Sequence, residues 1–149
     1  MKKTFRDGLF ETNSSSVHTL VFKNNEWAKP DLDMDGDAVI GRIKYFGKDG
    51  RTYDSQNDKL SYLLTCMWCF CGENLDRLHD SSYFDELEEI VTEHTGASKI
   101  KLVYGEGEHG MDHQTYPEYY GDCPLFDLNR YNMENFIFND NVALKTAWD

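Results

Sequence analysis

No apolar run in the 149-residue chain approaches the ~20 residues that a membrane helix requires. The opening Met1-Lys2-Lys3-Thr4-Phe5-Arg6-Asp7 is basic but leads into no apolar stretch of the signal-peptide kind. A cytoplasmic protein without membrane contact is therefore expected. Basic residues are scarce too: 15 Lys and Arg face 27 Asp and Glu, for a net charge of −12. Nucleic-acid binding depends on cations that neutralise phosphates, so no direct nucleic-acid contact is expected. Internal repeats and low-complexity segments are missing, as is the Gly-x-Ser-x-Gly elbow of many hydrolases. What is present suffices for a core. Aromatic residues make up 14% and hydrophobic residues 40% of the chain, enough for one folded domain over 1–149.

The expected architecture is α+β: a mostly antiparallel sheet of about five strands packed on a buried helix. From Val17 the sequence alternates, with Val17, Thr19 and Val21 on one face and His18, Leu20 and Phe22 on the other. A second strand is expected over Ala38 to Phe46. Ser55-x-x-Asp58 reads as a capping box for a helix over about 58–71, and Gly72 is placed to end it. Its residues Leu60, Leu63, Leu64, Met67, Trp68 and Cys71 keep helical spacing, and Tyr62, Cys66, Cys69 and Phe70 widen the apolar face until the helix must be buried. A second, amphipathic helix is expected over about 82–95. It carries Phe84, Leu87, Val91 and His94 inward, with Asp85, Glu86, Glu88, Glu89 and Glu93 toward water. Lys99 to Tyr104 alternates as a strand, and 105–124 reads as a long polar loop. Phe136-Ile137-Phe138, the turn Asn139-Asp140-Asn141 and Val142 to Trp148 read as a closing hairpin.

Several motifs imitate sites and fall short. Asp31-x-Asp33-x-Asp35-Gly36 matches half a calcium loop, but Arg42 stands where the bidentate Glu is required and Pro30 precedes it. Cys66-x-x-Cys69-x-Cys71 lies inside a helical apolar run, where the turn that a zinc knuckle needs is unavailable. No metal and no cofactor is expected. Gly105-x-Gly107-x-x-Gly110 has the dinucleotide spacing, yet Glu106 and Glu108 would repel phosphate.

Two segments concentrate reactive side chains. Thr12-Asn13-Ser14-Ser15-Ser16 compete with the backbone for hydrogen bonds and favour a turn. His18 follows on a face shared with Leu20 and Phe22, so burial with a hydrogen-bond partner is expected. The second segment joins Glu106, Glu108 and His109 to Asp112-His113, where an acid beside an imidazole suits acid–base work. Were the two to converge, Ser14, Ser15, Ser16, His18, Asp112 and His113 would be the catalytic candidates.

Arg6, Phe10 to Ser16, His18, Thr19 and Leu20, together with the later Asp112-His113-Gln114, resemble a family of uncharacterised small proteins from tailed phages and Gram-positive bacteria. The resemblance implies a phage or mobile-element setting, hence a host-cell cytoplasm, and no activity.

Two functions follow. The first is a small acidic accessory protein that binds and modulates or inhibits a host macromolecule, in host take-over or anti-defence. Its partner would be a basic host protein or a nucleic-acid-binding complex, and a homodimer is compatible with the sequence. Candidate binding residues are Asn13, Gln114, Glu86, Glu89, Glu106 and Glu108. The alternative is a small enzyme acting on a nucleotide or other phosphorylated substrate through a Ser/His/Asp pocket.

Overall fold

A computed structural model describes residues 16–22, 29–47, 51–111 and 125–148, with the backbone alone over 16–22 and 147–148. At its centre is α1 (Gln56–Phe70), which begins where the Ser55 hydroxyl accepts the Asp58 N–H at 3.0 Å. Leu60, Tyr62, Leu63, Leu64, Cys66 and Met67 are all fully buried, as an all-round apolar helix requires. A paired exit ends it: the Gly72 N–H donates to the Cys69 carbonyl and the Glu73 N–H to that of Trp68. That pattern demands a left-handed residue, and Gly72 supplies it at φ +78°.

The chain then forms α2 (Leu75–His79) and α3 (Ser82–Thr95). The side chain capping α3 is that of Ser81, which accepts the Tyr83 N–H at 3.1 Å. Phe84, Leu87, Ile90 and Val91 are the buried residues of α3. Gly96 closes the helix at φ +79°.

Among the described residues the strands make three small sheets rather than one of five. In the first, β2 (Met34–Asp35) pairs antiparallel with β3 (Ala38–Ile43), which pairs in parallel with β6 (Lys99–Tyr104). A parallel pair needs a long crossover; here α1, α2 and α3 supply it. The second sheet pairs β4 (Tyr45–Phe46) in parallel with β7 (Gly110–Met111). The expected strand over 38–46 is thus split at Lys44, whose N–H goes to Thr65 Oγ1 on α1 at 3.0 Å. In the third sheet β8 (Val142–Trp148) is flanked by β1 (Ser16–Phe22) and β5 (Thr52–Tyr53), both antiparallel.

Phe136, Ile137 and Phe138 are not a strand. They end α4 (Arg130–Phe138), which opens as Asn129 Oδ1 accepts the Asn132 N–H at 2.9 Å. Met133, Phe136 and Ile137 are buried on it at i, i+3, i+4 spacing. The expected hairpin is therefore a helix-to-strand corner. Lys59 secures this corner from α1. Buried to 0% exposure, it donates from Nζ to the Val142 carbonyl at 2.8 Å and the Asn139 carbonyl at 3.2 Å. The large buried apolar residues of α1, α3, α4, β3 and β8 join one core cluster.

Candidate functional site

Of the expected catalytic group, Ser14, Ser15, Asp112 and His113 lie outside the described residues, as do Asn13 and Gln114. Ser16 is the first residue of β1, opposite Trp148, and His18 stands opposite Thr146. The expected burial of the His18 side chain also lies outside what is described.

The described acids fall into two groups with different work. Some are tied into the architecture. Glu88 Oε2 accepts the Ile100 N–H at 2.9 Å and so fastens α3 to β6. Glu89 and Glu93, one turn apart on α3, both hold Arg130 at the start of α4, with Glu89 Oε1 2.6 Å from Nη1. His94 Nε2 lies 2.6 Å from Glu134 Oε2, and its ring stacks on Phe138 at 4.0 Å between centroids. These contacts clamp α3 onto α4.

The acidic loop at 31–37 is likewise structural. Asp33 pairs with Arg42 at 2.8 Å and Asp35 with Lys101 at 2.7 Å. The residue that broke the calcium pattern is thus the partner of one of its carboxylates. Gly36, at φ +66°, makes the turn from β2 to β3. The hydrogen bond from Lys101, with its charge, holds the Asp35 carboxyl below the usual carboxylate range.

Asp58, at the start of α1, pairs with Lys44 at 2.7 Å. Asp85, Glu86, Glu106 and Glu108, by contrast, have no ion-pair partner among the described residues. Asp85 and Glu86, with Ser82, Tyr83 and Glu89, border a shallow depression of about 410 Å³ on α3. Glu106 and Glu108 are exposed on the turn between β6 and β7. Beside them Tyr104 is 48% exposed and accepts the Trp68 indole N–H at 3.3 Å. The His109 ring lies 4.8 Å from Tyr104. Its Nε2 is 2.8 Å from the Gly105 carbonyl, which can only accept, so Nε2 carries the proton and closes the turn. His109 is therefore occupied in holding backbone. After Gly110 the chain runs as β7, where a dinucleotide fingerprint needs a helix N-terminus.

Cys66 and Cys69 lie on α1 and Cys71 caps it. Burial pushes the Cys71 thiol up, against smaller opposing effects of Ser81 and Arg77. Among the described residues no group of three or more His, Cys, Asp or Glu is placed to hold a metal ion. None of their helices is long and apolar enough to cross a membrane.

Sequence reasoning did not find Arg130, the cation that organises two acids of α3. The signal was available in Asn129 followed by Met133, Phe136 and Ile137, a capped helical repeat that places Arg130 at the first turn. No family model, no curated protein and no solved structure matches this chain.

Proposed function

We propose that the protein is a small acidic accessory factor that docks on a basic surface of a macromolecular partner. On the family resemblance, that partner is a host protein or nucleic-acid-binding complex in a bacterial cytoplasm, and the outcome is modulation or inhibition. The observation that carries this reading is the α3 depression. Asp85 and Glu86 stand there beside the half-buried Tyr83 without an internal cation among the described residues. Tyrosine is enriched among interface anchors, and opposite charge on the partner would speed encounter.

The test is capture of a stoichiometric partner from host lysate by the wild-type chain and by an Asp85→Lys/Glu86→Lys variant. Capture should be lost in the variant at unchanged thermal stability. It should also weaken as salt shortens the screening length from ~10 Å near 0.1 M to ~3 Å near 1 M. His113→Ala should leave capture intact. A partner held equally by wild type and variant, at low and high salt, would remove the acidic face from the account.

A further inference from the structure

The end strand β6 offers a second surface, whose chemistry is opposite to that of α3. In the sheet order β2-β3-β6, β6 has β3 on one side only among the described residues. The Gly105 N–H donates inward to the Ile43 carbonyl, whereas the Ile100 N–H points away from β3, to Glu88. Backbone direction alternates along a strand. The N–H and C=O of Leu102 and the N–H of Tyr104 therefore face outward with Ile100, and no described backbone receives them.

This edge runs along a groove of about 320 Å³ between β6 and α2. Leu75 from α2 and Ile100 and Leu102 from β6 give it an apolar floor. Lys99, Lys101, His79 and Asp76 line it, and the Glu88 carboxylate, held by the Ile100 N–H, sits at its Ile100 end. Lys101 is engaged by Asp35, but Lys99 has no ion-pair partner among the described residues. In a chain of net charge −12, an edge lined this way stands out.

We propose that this groove receives an extended acidic segment of a partner protein, added to β6 as a fourth strand. Main-chain hydrogen bonds to Leu102 and Tyr104 would give affinity, and alternate side chains would give selectivity. Apolar residues of the segment would lie over Leu75 and Leu102. Acidic ones would stand across from Lys99 and Lys101, where opposite charges on neighbouring strands attract. A second copy of this chain is the poorer occupant. It would set lysine-bearing edges side by side, the device by which edge strands resist self-pairing.

The probe is a short fluorescent peptide alternating valine and glutamate, titrated into the full chain at low salt and followed by anisotropy. It should bind, and a valine–lysine peptide should not. Lys99→Glu should weaken binding about fivefold, the upper range for one exposed charge pair. Leu102→Pro removes the outward N–H, a loss that edge strands tolerate, together with part of the apolar floor, and should abolish binding. If that variant fails to fold, N-methylation of alternate peptide amides tests the same bonds on the wild-type chain and should abolish binding in one of the two registers. Three results would overturn the proposal: no binding, equal binding of both peptides, or binding indifferent to N-methylation in both registers. Concentration-dependent dimerisation that Leu102→Pro prevents would also overturn it, by assigning the edge to a second copy.

Discussion

Gly41 lies on β3 where the strand passes beneath α1, and no wider residue fits there. A Cβ added at this position would lie 2.6 Å from Leu64 Cδ1 and 2.7 Å from Ile100 Cγ2. Both neighbours are buried and neither can swing into solvent. Overpacking of this kind costs about 1–3 kcal/mol. The backbone at Gly41 is not left-handed, so alanine is conformationally allowed and recovers about 0.4–1 kcal/mol through the unfolded chain. The net expectation for Gly41→Ala is a loss of roughly 1–2 kcal/mol. With a urea slope of about 1–3 kcal/mol per molar, the midpoint should fall by roughly 0.5–1 M, followed by the fluorescence of buried Trp68. In a Leu64→Val background, which removes the nearest methyl contact, the same substitution should cost distinctly less. A midpoint that stays level or rises, or a penalty equal in both backgrounds, would refute the close-packing argument.

Two further outcomes concern ionisation. Because Asp35 titrates below its ordinary value when folded, its pairing with Lys101 stabilises the fold above ~3.9 and is lost as pH falls through the folded pKa. The stability gap between wild type and Asp35→Asn, measured by urea titration at several pH values, should therefore close on acidification; a gap that widens would contradict the sign. Burial raises the Cys71 thiol, so its protonated form is favoured on folding, and that contribution fades as pH climbs past ~8.5. Mass spectrometry of timed iodoacetamide labelling near pH ~8 should find Cys71 slower in the native chain than in the urea-unfolded chain. Equal rates would show that the thiol is not shielded.

The legible parts of the fold were those whose causes are local. Helices α1 and α3 carry their own caps, their own Gly stops and enough turns for the period to be counted. Strand β6 alternates from Lys99 to Leu102, although Tyr104, expected on the face of Ile100 and Leu102, is exposed. Phe136-Ile137-Phe138 defeated the same method because three apolar residues fit a strand or a helix end equally well; only the Asn129 cap decides, and it lies seven residues upstream of Phe136. The division at Lys44 depends on a threonine hydroxyl 21 residues away. Sheet membership is just as non-local, since β8, the last described strand, pairs with β1 at the start of the described chain and with β5 about 90 residues before it.

The same division applies to the acids, and it changes what net charge means here. Periodicity was enough to turn Glu86, Glu89 and Glu93 outward. It could not reveal that Glu89 meets a cation 41 residues later, or that Glu88 meets a backbone N–H 12 residues later. Carboxylates tied to Arg130, Arg42, Lys101 and Ile100 brace helices and strand edges, so their charge is largely answered within the molecule. Asp85, Glu86, Glu106 and Glu108 are not answered in this way among the described residues; the first two share their depression with Tyr83, and Tyr104 precedes Glu106 by two residues in the chain. An unanswered charge beside a partly exposed ring has something to gain from a cationic partner, both by pairing and by cation–π contact. A carboxylate already bridged to arginine must first give up that bridge. On the proposed docking, these few acids are therefore the better contact residues, and Glu89 is the weaker choice among those that sequence alone put forward.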